Sequence, residues 1–202
     1  MEPDISAAII ERPNHRYGPP VGEPPLFVDP RRWGSLIGLA GGMVFVVSYS
    51  PVLGLVAAVI VKVAGAVGVA AVLVAHYIRP TRLGPFARPN RLSLAVYSGC
   101  VLVELALIAF GTRILIATGH SDLRPALIAA VVGLHFMPLR WAFQERMFLH
   151  LGTAVTVLGA AGLIAGAFGV RHAPDALAVA SGLVMIALIY LYARGRYASD
   201  SP

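Results

Sequence analysis

A chain of 202 residues that is 57% apolar and only 13% charged, with mean hydropathy +0.76, is not an ordinary soluble domain, which carries about 25% charged residues. Apolar runs of roughly 20 residues, the length needed to cross a ~30 Å hydrocarbon layer, recur along it, so lipid is the expected solvent and the bilayer the expected partner. The net charge of +6 does not point to nucleic acid, because the arginines fall in the gaps between apolar runs, where topology determinants belong.

Residues 1–32 hold seven prolines, from Pro3 to Pro30. Proline fixes φ and has no N–H to donate, so this stretch is expected to be a disordered tail. Arg31, Arg32 and Trp33 then mark a membrane interface. A first helix is expected over 33–49, with Gly34, Gly38 and Gly42 on one face, where small residues let a second helix approach closely. Ser50-Pro51 is a turn signal. A second helix over 53–78 carries Lys62 well inside it and His76 near its end. The next gap, 79–91, has four arginines, three prolines and no acid.

A third helix is expected over 92–112, with Glu104 near its centre. Pro125 starts the fourth, in a first-turn position that proline suits. That helix ends near Trp141, and Pro138 removes one of its hydrogen bonds by depriving the Leu134 carbonyl of a donor. The fifth, over 147–170, has Gly162 and Gly166 on a second small-residue face. The sixth, over 176–193, is closed by tyrosines and arginines. Six crossings put both ends on one side. That side gathers twelve arginines, against Arg113, Arg124 and Arg171 on the other, which predicts cytoplasmic termini. The expected fold is an all-α integral membrane bundle of six transmembrane helices over 33–196, with a Pro-rich tail before it and a short cytoplasmic tail, 197–202, after it.

Few polar residues are placed to carry chemistry. At 1.5 Å rise per residue, Lys62 and Glu104 lie about 24 and about 18 Å from the terminal side. The two long side chains are close enough in depth to form an intramembrane ion pair, and such charges mark solute or proton paths. The histidines are the second set. His135 and His150 lie about 8 and about 6 Å from the same side. Imidazole is a metal ligand and a proton carrier, and two on adjacent helices could hold a haem iron axially. His135 could equally bond a carbonyl loosened by Pro138. Cys100, the one cysteine, has no partner for a disulfide and no metal-binding spacing. No phosphate-binding, hydrolase, zinc-protease or dinucleotide motif is present, and no cofactor or metal is expected.

The run Gly133-Leu134-His135-Phe136-Met137-Pro138-Leu139, with Gly152 following in the next helix, resembles the Gly-Leu-His-Phe-x-Pro-Leu motif of a family of small, uncharacterised bacterial membrane proteins. Arg140 stands where that family tends to have a small residue. The resemblance implies a compact helical membrane fold and no activity. Abundant Ala, Val, Gly and Arg beside a single lysine point to a high-GC bacterial source and so to the cytoplasmic membrane. Three functions stay open. The foremost is a non-enzymatic binding or scaffold protein that meets a membrane partner, or its own copy, through the glycine faces. The others are a small transporter or channel component using Lys62 and Glu104, and a histidine-ligated metal or haem protein using His135 and His150. The five residues put forward for a site are Lys62, Glu104, His135, Pro138 and His150.

Overall fold

The computed structural model describes residues 25–81, 83 and 90–197. Within them the chain is helical, with six helices long and apolar enough to cross a membrane: α1 (Pro30–Tyr49), α2 (Leu55–Leu73), α3 (Arg91–Ala117), α4 (Arg124–Phe143), α5 (Arg146–Ala167) and α6 (Ala173–Ala193). Residues 1–24 of the expected tail over 1–32 and most of the arginine-rich gap lie outside the described residues, whereas 25–32 are described and α1 already begins at Pro30. Several helices run past their expected ends. The largest difference is α3, which continues to Ala117 because no breaker intervenes before Thr118 and Gly119.

The boundaries follow from local chemistry. The Asp29 carboxylate accepts from the Arg31 N–H and so caps α1, with Pro30 at its first position, where a missing N–H costs nothing. Asn90 caps α3 in the same way, accepting from the Ser93 N–H at 2.8 Å. The α4–α5 joint is abrupt: Gln144 sits at φ 56, a left-handed conformation that stops α4 and reverses the chain. Pro138 is accommodated inside α4 without ending it.

Helix α6 is the hub. It packs against α1, α5, α2 and α4, while α4 and α5 form the most extensive pair. Phe45, Ala129, Leu151, Val155, Ala178 and Met185 meet at the junction of α1, α4, α5 and α6. Glycines set the closest crossings. A Cβ on Gly42 would stand 2.9 Å from the Gly182 carbonyl oxygen. A Cβ on Gly159 would stand 2.6 Å from Ala130 Cα. Backbones therefore touch where the apolar drive between helices is absent, and dispersion does the work. The expected face on α1 is real at Gly38, against Ile189, and at Gly42, but a Cβ on Gly34 meets nothing within 4 Å. On α5, Gly162 meets Ala126, and Gly166 meets Leu123 and Pro174.

The helices alternate in direction, so one end of the bundle collects the start of α1, the end of α2, the start of α3, the α4–α5 joint and the end of α6. Side chains tie this terminal end together. The Thr81 hydroxyl donates to the Ala193 carbonyl at 2.7 Å, that of Ser93 to the Ala142 carbonyl at 2.7 Å, and that of Tyr192 to the Glu145 carboxylate at 3.1 Å. Helix α3 stands apart at the rim. It rests on α4 and on the turn joining them, and none of its most apolar stretch is buried.

Candidate functional site

Glu104, mid-way along α3, faces His135, mid-way along α4. Glu104 Oε2 lies 3.2 Å from His135 Nδ1, with side chains 18% and 8% exposed. The separation suits an ion pair, but Nδ1 is off the line a hydrogen bond requires, and it finds no aligned partner. The ring is held edge-on between Tyr97 and Phe136, with centroids 6.4 and 5.2 Å away. Aromatic contacts of this kind fix an imidazole without consuming its polar atoms.

The pair lines a cavity of about 310 Å³ at the α3–α4 seam, whose walls include Gly99, Cys100, Leu134 and Pro138. Apart from the acid, the imidazole and the Cys100 thiol, the lining side chains are aliphatic. Pro138 and Leu134 belong together here. Proline has no N–H, so the Leu134 carbonyl lacks its ordinary helical donor, and both residues border the cavity. Gly99 leaves room on the α3 side, since a Cβ there would meet nothing within 4 Å. Two helices alone frame this space, at the rim of the bundle, so it opens sideways rather than along a central axis.

The other residues singled out in the sequence are elsewhere. Lys62 is half-buried on α2, which rests on α1 and α6, whereas α3 rests on α4. No ion pair joins Lys62 to Glu104 among the described residues; the partner of Glu104 is His135. His150 lies toward the terminal end, its Nδ1 3.0 Å from the Arg146 carbonyl and its ring 5.4 Å from Tyr197. It shares none of these neighbours with His135. Among the described residues no group of three or more His, Cys, Asp or Glu side chains is placed to hold a metal ion.

A second polar cluster, unforeseen in the sequence, sits at the terminal end. Arg32 is 1% exposed, Asp29 1% and His76 fully buried. The Arg32 guanidinium donates to the His76 carbonyl at 2.6 Å and lies 3.1 Å from His76 Nδ1. Asp29 holds Arg31 through Oδ2 at 3.0 Å and lies 3.9 Å from Arg32. Phe27 stacks on Tyr77, and the Trp33 indole N–H donates to the Phe27 carbonyl at 2.9 Å. These contacts dock the segment before α1 onto the end of α2. Glu145 is nearby in charge terms: burial raises its carboxyl above the ordinary range, against the Tyr192 hydrogen bond and the charge of Arg31. The Asp29 carboxylate and the His76 carbonyl together hold Arg31 and Arg32, so the cluster acts as a clamp at this end of the bundle. At the opposite end, Tyr49, Asp122, Arg124 and Asp175 border an open cavity of about 240 Å³.

Comparison with protein-family models, curated proteins and solved structures finds no match to this chain.

Proposed function

We propose that this chain is a multi-pass integral membrane protein of a bacterial cytoplasmic membrane, with both termini cytoplasmic. In this proposal it is a non-enzymatic binding protein whose ligand enters from the bilayer and seats at the α3–α4 seam. The arginine bias of the terminal end supports the orientation. One observation carries the binding function: an acid and an imidazole 3.2 Å apart, at mid-length of two apolar helices, beside a cavity walled by aliphatic side chains. Polar groups placed so deep are costly, by a few kcal/mol for a charge at mid-membrane. A fold that only needed α3 to pack on α4 would do so better with two aliphatic residues there.

The transport reading rests on Lys62 and Glu104 acting together, and the geometry gives it no support. The metal and haem readings need His135 and His150 to converge, and they do not share a partner.

The test is photolabelling of the purified chain in phosphatidylcholine vesicles with a long-chain alkane bearing a diazirine. Every lipid-facing helix takes some label in proportion to probe concentration. A seat adds a saturable component on the peptides of α3 and α4 that border the cavity. Gly99→Phe adds bulk to the cavity lining from a position where a Cβ meets nothing within 4 Å, so it should remove the saturable component, and a thermal melt checks that the fold is kept. Labelling of the seam that never saturates, or that is unchanged in Gly99→Phe, refutes the seat.

A further inference from the structure

The chemistry of the seam restricts what it can hold, and this step rests on the seat proposed above. A carboxyl and an imidazole 3.2 Å apart face a cavity whose other walls are aliphatic. A ligand arriving with a net charge would have to leave its own hydration behind for walls that cannot replace it.

The hydrogen-bonding inventory goes further. One polar atom, Nδ1, is buried without an aligned partner although it lies beside the carboxylate. The facing carboxyl oxygen is an acceptor, and a protonated imidazole nitrogen is a donor. A head that only accepts, such as a ketone or ester carbonyl, satisfies the donor and leaves the acceptor bare. A head that both gives and takes satisfies both.

We infer that the seat takes an amphiphile with an uncharged hydroxyl head: the O–H donates to the Glu104 carboxyl, and its oxygen accepts from the His135 ring N–H, bridging two groups that are close but not aligned with each other. The aliphatic tail lies along the groove between α3 and α4. Cys100 stands one helical turn from Glu104 and borders the same cavity. As the chain's one cysteine, it reports occupancy without engineering.

The experiment measures alkylation of Cys100 by N-ethylmaleimide, by intact mass, in the full chain in phosphatidylcholine vesicles. Four probes of equal chain length compete: dodecanol, dodecylamine, dodecanoate and dodecane. Dodecanol slows alkylation at least fivefold more than dodecane does, and Glu104→Gln or His135→Asn brings that advantage below twofold. Glu104→Gln keeps the shape of the side chain and stays folded at the assay temperature despite a midpoint a few degrees lower, which a thermal melt verifies, so a lost advantage there is not a lost fold. Stronger protection by dodecylamine or dodecanoate overturns the hydroxyl assignment while leaving the seat standing. Equal protection by dodecanol and dodecane also overturns it, by showing that the head is not read. Failure of all four to slow alkylation sinks the seat itself.

Discussion

Separating Glu104 from His135 is the most informative perturbation. At 3.2 Å and an effective dielectric constant of about 20, a unit charge pair is worth about 5 kcal/mol before desolvation. Most of that is offset by the cost of holding two polar groups away from water. Glu104 is 18% exposed on the cavity side, which softens the penalty for stranding it. The expected coupling is therefore about 1–2 kcal/mol, inside the range found for residues sharing a polar contact. Four proteins measure it: the parent, Glu104→Gln, His135→Asn and the double variant. For a chain of this size, 1 kcal/mol moves the unfolding midpoint by roughly 2–4 °C. Each single variant should melt lower than the parent by several degrees, and the double variant should recover about 2–8 °C relative to the sum of the two. Thermal unfolding in one detergent, followed by tryptophan fluorescence, gives all four midpoints. If the single effects add to the double within about 0.5 kcal/mol, the two side chains are neighbours without interaction, and the paired head-group site falls with them.

Three further outcomes follow from the packing and the terminal-end cluster. Gly159→Ala places a methyl 2.6 Å from Ala130 Cα, backbone that cannot swing aside, so it should cost about 1–3 kcal/mol; Gly34→Ala, with nothing within 4 Å, should leave the melt unchanged, and equal effects would refute the glycine-crossing account. Burial raises the Glu145 carboxyl above its unfolded value near 4.5, so its contribution to stability is full below that value and is lost as pH rises through the raised folded value; Glu145→Gln, which can still accept from Tyr192, should flatten that part of the pH–stability profile, and an unaltered profile contradicts the burial argument. Arg32→Met removes the donor to the His76 carbonyl and strips the cluster of one guanidinium, so it should cost about 3–5 kcal/mol and free the segment around Phe27 for proteolysis; a parent-like melt and digestion pattern would show that the cluster does not clamp it.

The architecture was largely written in the hydrophobic pattern, because runs of roughly 20 apolar residues allow little but helices. The glycine faces were legible in kind at Gly38 and Gly42, since small residues at four-residue spacing share a face. Gly34 keeps the same spacing, yet a Cβ there would meet nothing within 4 Å, because spacing marks a face and not how closely a neighbour follows it. The clamp of Arg32, Asp29 and His76 could not be read, because interface arginines look alike in sequence whether they meet water or fold inward. This one folds inward onto the His76 carbonyl.

The partner of Glu104 was legible, but from the opposite direction. Depth counted from the terminal side set Glu104 beside Lys62 across a gap of a dozen residues, long enough for α3 to leave α2 altogether. A short turn leaves far less freedom. Counted from the turn between α3 and α4, Glu104 is thirteen residues before Ala117 and His135 eleven after Arg124. These are depths of about 20 and about 16 Å, which the two side chains bridge. The same turn explains why the pair sits at the rim: among the described residues it tethers α3 to α4, on which α3 mainly packs. A helix held by one neighbour can part from it without unmaking the core, which lies among α1, α4, α5 and α6. The acid is thus carried by the helix that can move most cheaply, and its imidazole by one that cannot. That division is what a seat filled from the side requires.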